Sequence, residues 1–143
     1  MESSVQGRMY ARLTDLVPQL EQQPQGAIFF AAPKQKGDMS LYCNVNWRTE
    51  QLMDLEIAHD LIDPTVPGET WPAPWLMFRL DVSKKTATLM AIQEGASYEV
   101  VQSDDGRVSP RRPQLNMFAA NWLNIMINLQ FVFAPVIRAE ATV

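Results

Sequence analysis

The residues that could perform chemistry are few in this 143-residue chain. His59 is the only histidine and Cys43 the only cysteine, which excludes a site of several histidines and a Cys-x-x-Cys pair. A pair between Cys43 and His59 stays open, but no surrounding motif supports it. No phosphate-binding glycine loop or Gly-x-Ser-x-Gly motif occurs. The sequence therefore predicts no catalytic residue, no metal site and no cofactor.

Three carboxylates form the first candidate site. Asp54, Glu56 and Asp60 share the outward side of one predicted strand, with His59 and Asp63 nearby. Positions two apart on a strand lie about 6–7 Å apart along it. Such carboxylates could bind a hard cation or act as an acid–base pair. The favoured interpretation is a solvated strand face, which also discourages pairing with other chains.

Two arginines form the second candidate site. Arg111 and Arg112 precede the predicted C-terminal helix, where the helix dipole disfavours cations. A sequence that places two cations there could recruit phosphate or an acidic partner. The favoured alternative is that both lie in a loop and pair with Asp104 or Asp105.

Two tryptophans form the third candidate site. Trp71 and Trp75 flank Pro72 and Pro74 at the end of a proline-containing connection over residues 60–74. They could line an apolar groove, since aromatic side chains are enriched at binding surfaces. Packing against the sheet is the favoured alternative. If the protein recognises anything, we expect a partner surface around these tryptophans, bordered by Arg111 and Arg112.

The spacing of apolar residues along the chain predicts the strands and helices that position these candidate residues. Apolar residues occupy the odd positions from Met39 to Trp47 and alternate again from Met53 to Ile57, which predicts an antiparallel hairpin. Further strands are predicted at Ala27–Ala32, Leu76–Val82, Thr86–Ile92 and Tyr98–Val101.

Helices are predicted at both ends of this run. Residues 5–17 form the first, which ends at Pro18. Residues 114–127 form the second, with an apolar stripe and with asparagines largely on the other side: Asn116, Asn121, Asn124 and Asn128. The prediction is a single α+β domain over residues 1–143, an antiparallel β-meander of about six strands with both helices packed on one face. The residues expected to be buried together are Leu41, Val45, Leu55, Phe78, Leu80, Phe118, Trp122 and Leu123.

Composition limits the function classes. A net charge of −4 gives no global basic field, so no nucleic-acid partner is expected. Residues 118–137 have the length of a bilayer span, but their asparagines predict a one-sided core helix, so no membrane partner is expected. The single cysteine fits a reducing compartment, and the first residues lack the pattern of a secretory signal. These observations predict a cytoplasmic protein.

Several residues resemble a small bacterial family of unknown function, exemplified by YqiB. Its Gln-x-Asn-x-Phe-Leu-x-x-Trp-Leu pattern is matched at Gln114, Asn116, Phe118, Trp122 and Leu123, with Ala119 in place of a leucine. Leu13, Leu16 and Pro18 are similar to its opening helix, and Met77–Leu80 to one of its strands. The likeness covers roughly residues 9–128. Residues 104–113 depart from the family, because this chain has Ser109–Pro113 where the family has an acidic–basic run before the helix. The likeness supports the fold and implies no activity.

Two functional hypotheses follow. The first is a non-enzymatic binding or accessory protein that acts through protein–protein contacts, including self-association. The second is a small-ligand or metal-dependent enzyme that uses Asp54, Glu56 and Asp60, with an anion held by Arg111 and Arg112. The second requires these two groups to converge in space.

Overall fold

A computed structural model of the chain describes residues 4–17, 19–32, 40–60, 74–94, 97–129 and 132–135, with only the backbone at the margins of some ranges. In chain order its elements are α1 (Val5–Leu16), a short 3-10 helix (Leu20–Gln22), β1 (Ile28–Ala32), β2 (Ser40–Trp47), β3 (Leu52–Asp60), β4 (Trp75–Asp81), β5 (Thr86–Glu94), β6 (Ser97–Val100), α2 (Arg112–Leu129) and β7 (Val132–Pro135). The predicted α+β class is confirmed.

The strands form one antiparallel sheet in the order β6-β5-β4-β3-β2-β1-β7. Strands β1 to β6 are neighbours in chain order, so the predicted meander is confirmed. Strand β7 was not predicted: it returns after α2 and pairs with β1, with Phe30 opposite Ala134. It is only four residues long. It also follows an apolar helix in a stretch where the apolar residues do not switch to the alternation that marks a strand. Its Pro135 is compatible with a strand at the edge of a sheet.

The core lies between the sheet and the two helices. Val45, Leu55 and Phe78 stand opposite one another on β2, β3 and β4, and all three are completely buried. Trp122 and Leu123 of α2 belong to the same cluster. Two expectations for α2 were wrong in detail. Phe118 is only partly buried against this core, and Asn116, expected on the solvent side, is buried.

The helices lie side by side and run in the same direction. Ser4 caps α1, because its Oγ accepts a hydrogen bond from the Gly7 amide at 3.0 Å. The first turns of α1 and α2 line one groove, and further along Arg12 Nη1 donates to the Ala120 carbonyl at 2.8 Å. Helix α1 ends at Leu16, and Val17 adopts the extended conformation that a following proline favours.

Helix α2 has the one-sided character that the sequence predicts. Asn121, Asn124 and Asn128 are exposed on the side away from the core. Among the described ranges, no helix has both the length and the apolar character needed to cross a bilayer.

Candidate functional site

The side chains that alternate with the core residues lie on the other side of the sheet, here called the outer face. Neither helix packs there, because both belong to the core cluster on the opposite side. The register aligns the outer side chains in rows across the strands. One row contains Tyr42, Ala58, Trp75, Gln93 and Tyr98.

Three residues of the outer face form what we call the acid–aromatic patch: Glu56, Trp75 and Tyr98. The rings of Trp75 and Tyr98 reach towards each other across β5, with centroids 6.0 Å apart and planes tilted by 34°. Trp75 Nε1 donates to Glu56 Oε1 at 3.1 Å, and Asn44 Nδ2 approaches Glu56 Oε2 at 3.4 Å. Tyr98 is 57% exposed and Trp75 is half-buried. The patch therefore joins a carboxylate to two accessible rings.

The Glu56 carboxylate has only neutral partners among the described residues. In the part of the chain that the structure describes, its hydrogen bonds come from an indole and an amide, and it forms no ion pair. A carboxylate oriented by neutral donors keeps its negative charge available to a cation. Aromatic faces beside it attract the same cation through their quadrupole.

Asp54, one row away, has a different environment. Arg79 donates to both of its carboxylate oxygens, from Nε at 2.8 Å and from Nη2 at 3.3 Å. Arg48 Nη1 adds an ion pair at 3.1 Å, and Arg79 Nη1 also contacts Asp104 at 2.7 Å. Only 10% of the Asp54 side chain is exposed. The four residues form one ion-pair network.

The network alters the acidity of its members. The hydrogen bond to Asp54 is the main reason that the pKa of Arg79 is raised above its ordinary value. The hydrogen bond from Arg79 lowers the pKa of Asp104. Asp54 thus has two cations, Arg79 and Arg48, as partners. The expectation that Asp54 lies on a freely solvated face was wrong.

The structure does not bring the groups of the second hypothesis together. Asp54 and Glu56 are on the outer face, the side chain of Asp60 lies outside the described residues, and Arg111 and Arg112 are on the helix side. No group of three or more metal-ligating side chains occurs among the described residues.

The two arginines have separate environments. Arg111 Nη1 pairs with Glu99 Oε1 at 2.7 Å, instead of with the expected Asp104 or Asp105. Arg112 is the first residue of α2, which begins two residues earlier than predicted, and lines the groove between the two helices.

The sequence-predicted partner surface is thus divided. Trp71 lies outside the described residues, and Trp75 is on the outer face, opposite the arginines. Sequence reasoning missed Tyr98 and Asn44, which complete the surroundings of Trp75 and Glu56. The strand period places each on a face, but only the register across all strands from β2 to β6 brings them together.

Cys43 lies in the core, as expected. It is completely buried, and burial raises the pKa of its thiol far above the ordinary value. A thiol without water access and without a tendency to ionise cannot act as a nucleophile.

Comparison with known proteins does not assign the chain to a family. No protein-family model, curated protein or solved structure gave a significant match to the chain.

Proposed function

We propose that this protein is a non-enzymatic binding protein whose acid–aromatic patch binds a basic segment of a partner protein. The observation that carries the proposal is the Glu56 carboxylate, oriented by Trp75 Nε1 at 3.1 Å and without a cation among the described residues. A lysine or arginine of the partner would pair with this carboxylate and stack on the indole or phenol ring. A cation over an aromatic face contributes about 0.5–2 kcal/mol, more as water is excluded.

The same combination of a carboxylate, an aromatic ring and a cation occurs within the protein itself. Lys85 Nζ lies 2.7 Å from Glu21 Oε2 and 5.7 Å from the centre of the Tyr10 ring. Tyr10 also donates a hydrogen bond to Glu21. An aromatic ring, a carboxylate and a lysine thus form one cluster on the other side of the sheet. The outer face carries the ring and the carboxylate, and the partner would supply the cation.

Other functions have less support. The enzyme hypothesis needs carboxylates free to bind a cation, whereas Asp54 has Arg48 and Arg79 as partners. A single-stranded nucleic acid could stack on Trp75 and Tyr98, but its phosphates would meet the charge of Glu56. Self-association through this patch would require a second copy to present a free lysine or arginine. We also propose that the protein is cytoplasmic and that it is related to the family exemplified by YqiB.

A selection from a random peptide library displayed on phage tests this function. We expect the selected peptides to be enriched in lysine and arginine. Trp75→Ala and Glu56→Gln should each weaken their binding by roughly ten-fold, the effect of losing one charge-assisted or cation–π contact. Met117→Ala, an exposed apolar residue on α2, is the matched control and should leave the affinity unchanged.

Three outcomes would contradict the proposal. Selected peptides could be acidic or lack cations, or could bind the Glu56→Gln variant with unchanged affinity. Alternatively, a single-stranded oligonucleotide could bind the patch more tightly than any selected peptide, which would assign the surface to nucleic acid.

A further inference from the structure

The first turns of α1 and α2 form a groove of about 500 Å³ on the helix side of the molecule. Arg8 and Arg112 line it, together with Gln6 and Asn116, and Val5 and Met117 supply apolar wall. This volume is within the range of small-molecule sites. The groove is separate from the acid–aromatic patch, which lies on the opposite face of the sheet.

The electrostatics of this groove favour an anion. Because the helices run in the same direction, the positive ends of both dipoles lie at the same end of the pair. Neither first turn contains an acidic residue, and each contains an arginine. Arg112, which forms no ion pair with any described residue, therefore lies where the dipole of its own helix disfavours a cation. A bound anion would offset this unfavourable interaction.

Asn116 gives independent evidence of a ligand. It is only 8% exposed and lines the groove, yet its side-chain amide forms no hydrogen bond with any residue that the structure describes. A buried amide without partners carries a free-energy penalty, and nearly all such groups in native proteins have a partner. The amide Nδ2 can donate to an oxygen atom placed in the groove.

Some backbone amides at the helix ends already have acceptors. In α1 the Gly7 amide donates to Ser4 Oγ, and in α2 the Arg112 amide donates to the Ser109 carbonyl at 3.0 Å. Pro113 has no amide hydrogen. The side chains of Arg112 and Asn116 would therefore hold the anion. The guanidinium presents two parallel N–H groups, which match the oxygens of a phosphate or a carboxylate.

We infer that this groove is a binding site for a phosphate group, held by Arg112 and the Asn116 amide. Met117, which is 66% exposed, would cover an apolar body attached to that group. Inorganic phosphate and a phosphate ester share this chemistry, and the two are separated by the experiment.

Titration of the ¹⁵N-labelled protein with inorganic phosphate and with phenyl phosphate tests the site, at an ionic strength matched with chloride. We expect saturable shifts of the Asn116 side-chain NH₂ signals and of the first turn of α2. Arg112→Gln and Asn116→Leu should each weaken binding by about ten-fold, as expected for one charge-assisted hydrogen bond. Arg111→Gln is the matched control, since Arg111 pairs with Glu99, and should bind normally.

The substitutions also have a readout that does not depend on binding. Asn116→Leu replaces a buried amide, which has no hydrogen-bond partner among the described residues, with an apolar side chain and should raise the thermal midpoint without ligand. If phenyl phosphate binds more tightly than inorganic phosphate, the natural ligand is an organic phosphate. If the two affinities are equal, the ligand is free phosphate. The inference is overturned if chloride produces the same shifts, if neither phosphate binds at millimolar concentration, or if Arg111→Gln weakens binding as much as Arg112→Gln.

Discussion

At the scale of single residues, the sequence placed the carboxylates on the correct face but not in the correct environment. The period of two assigns Asp54 and Glu56 to the outer face, and both lie there. Their different roles come from neighbours on other strands: Asp54 stands opposite Arg79 and Glu56 contacts Trp75. These partners are 25 and 19 residues away in the chain, so local patterns contain no information about them.

Removal of the Asp54 charge should destabilise the fold. Asp54→Asn leaves Arg79, whose side chain is only 20% exposed, without the carboxylate that accepts hydrogen bonds from both its Nε and its Nη2. We expect a loss of about 2–4 kcal/mol of unfolding free energy, somewhat less than for a fully buried ion pair. Urea denaturation followed by circular dichroism measures it. Asp105→Asn, which affects an exposed pair with Arg107, is the control and should leave the midpoint unchanged. Equal midpoints for the two variants would contradict a stabilising role of the network.

The Cys43 thiol should be inert in the folded protein. Because it is completely buried and its pKa is raised, we expect no reaction with Ellman's reagent under native conditions and rapid reaction of one thiol in denaturant. Fast labelling of the native protein would show that β2 opens readily or that its inward register is wrong.

At the scale of elements, long periodic segments were predictable and short ones were not. Helix α2 was recognised from its apolar stripe, although its start was placed two residues late because Arg112 and Pro113 have no apolar period. A helix tolerates a proline in its first turn, which is where Pro113 lies. Strand β7 was missed because four residues give too little pattern, and only its pairing with β1 defines it.

The apolar stripe of α2 can be tested by truncation of its largest buried side chain. Trp122 is 6% exposed within the core cluster. Trp122→Ala should lower the unfolding free energy by about 3–5 kcal/mol through lost burial and a cavity. Ile125→Ala is the matched control on the same helix, since Ile125 is 53% exposed. Its effect should remain within about 0.5 kcal/mol. A cost below about 1 kcal/mol for Trp122→Ala would mean that the stripe does not face the core.

At the scale of the whole molecule, the sheet should open from its edges. Strand β3 is the middle strand, with β2 and β4 on its two sides, whereas β6 and β7 each pair on one side only. Native-state hydrogen exchange should therefore find the slowest amides in β3 and its neighbours β2 and β4, and the fastest strand amides in β6 and β7. Slowest exchange in either edge strand would contradict this strand order.

The same sheet separates two surfaces of opposite character. The outer face carries the acid–aromatic patch, and the helix side carries the groove with Arg8 and Arg112. From the sequence, the tryptophans and the arginines were expected to form one partner surface, and no local pattern shows on which side of the sheet each group lies. The sheet lies between Trp75 and the arginines, and that separation depends on which face each element packs against.

The central claim is that the outer face binds a basic segment of a partner. The most direct test is an amide chemical-shift map of the ¹⁵N-labelled protein, recorded during titration with a lysine- or arginine-containing peptide from the display selection. We predict that the shifts centre on Glu56, Trp75 and Tyr98, including the indole Nε1 signal of Trp75, while the exposed side of α2 is unaffected. Shifts that centre on α1 and α2, with an unchanged Trp75 indole signal, would contradict the account.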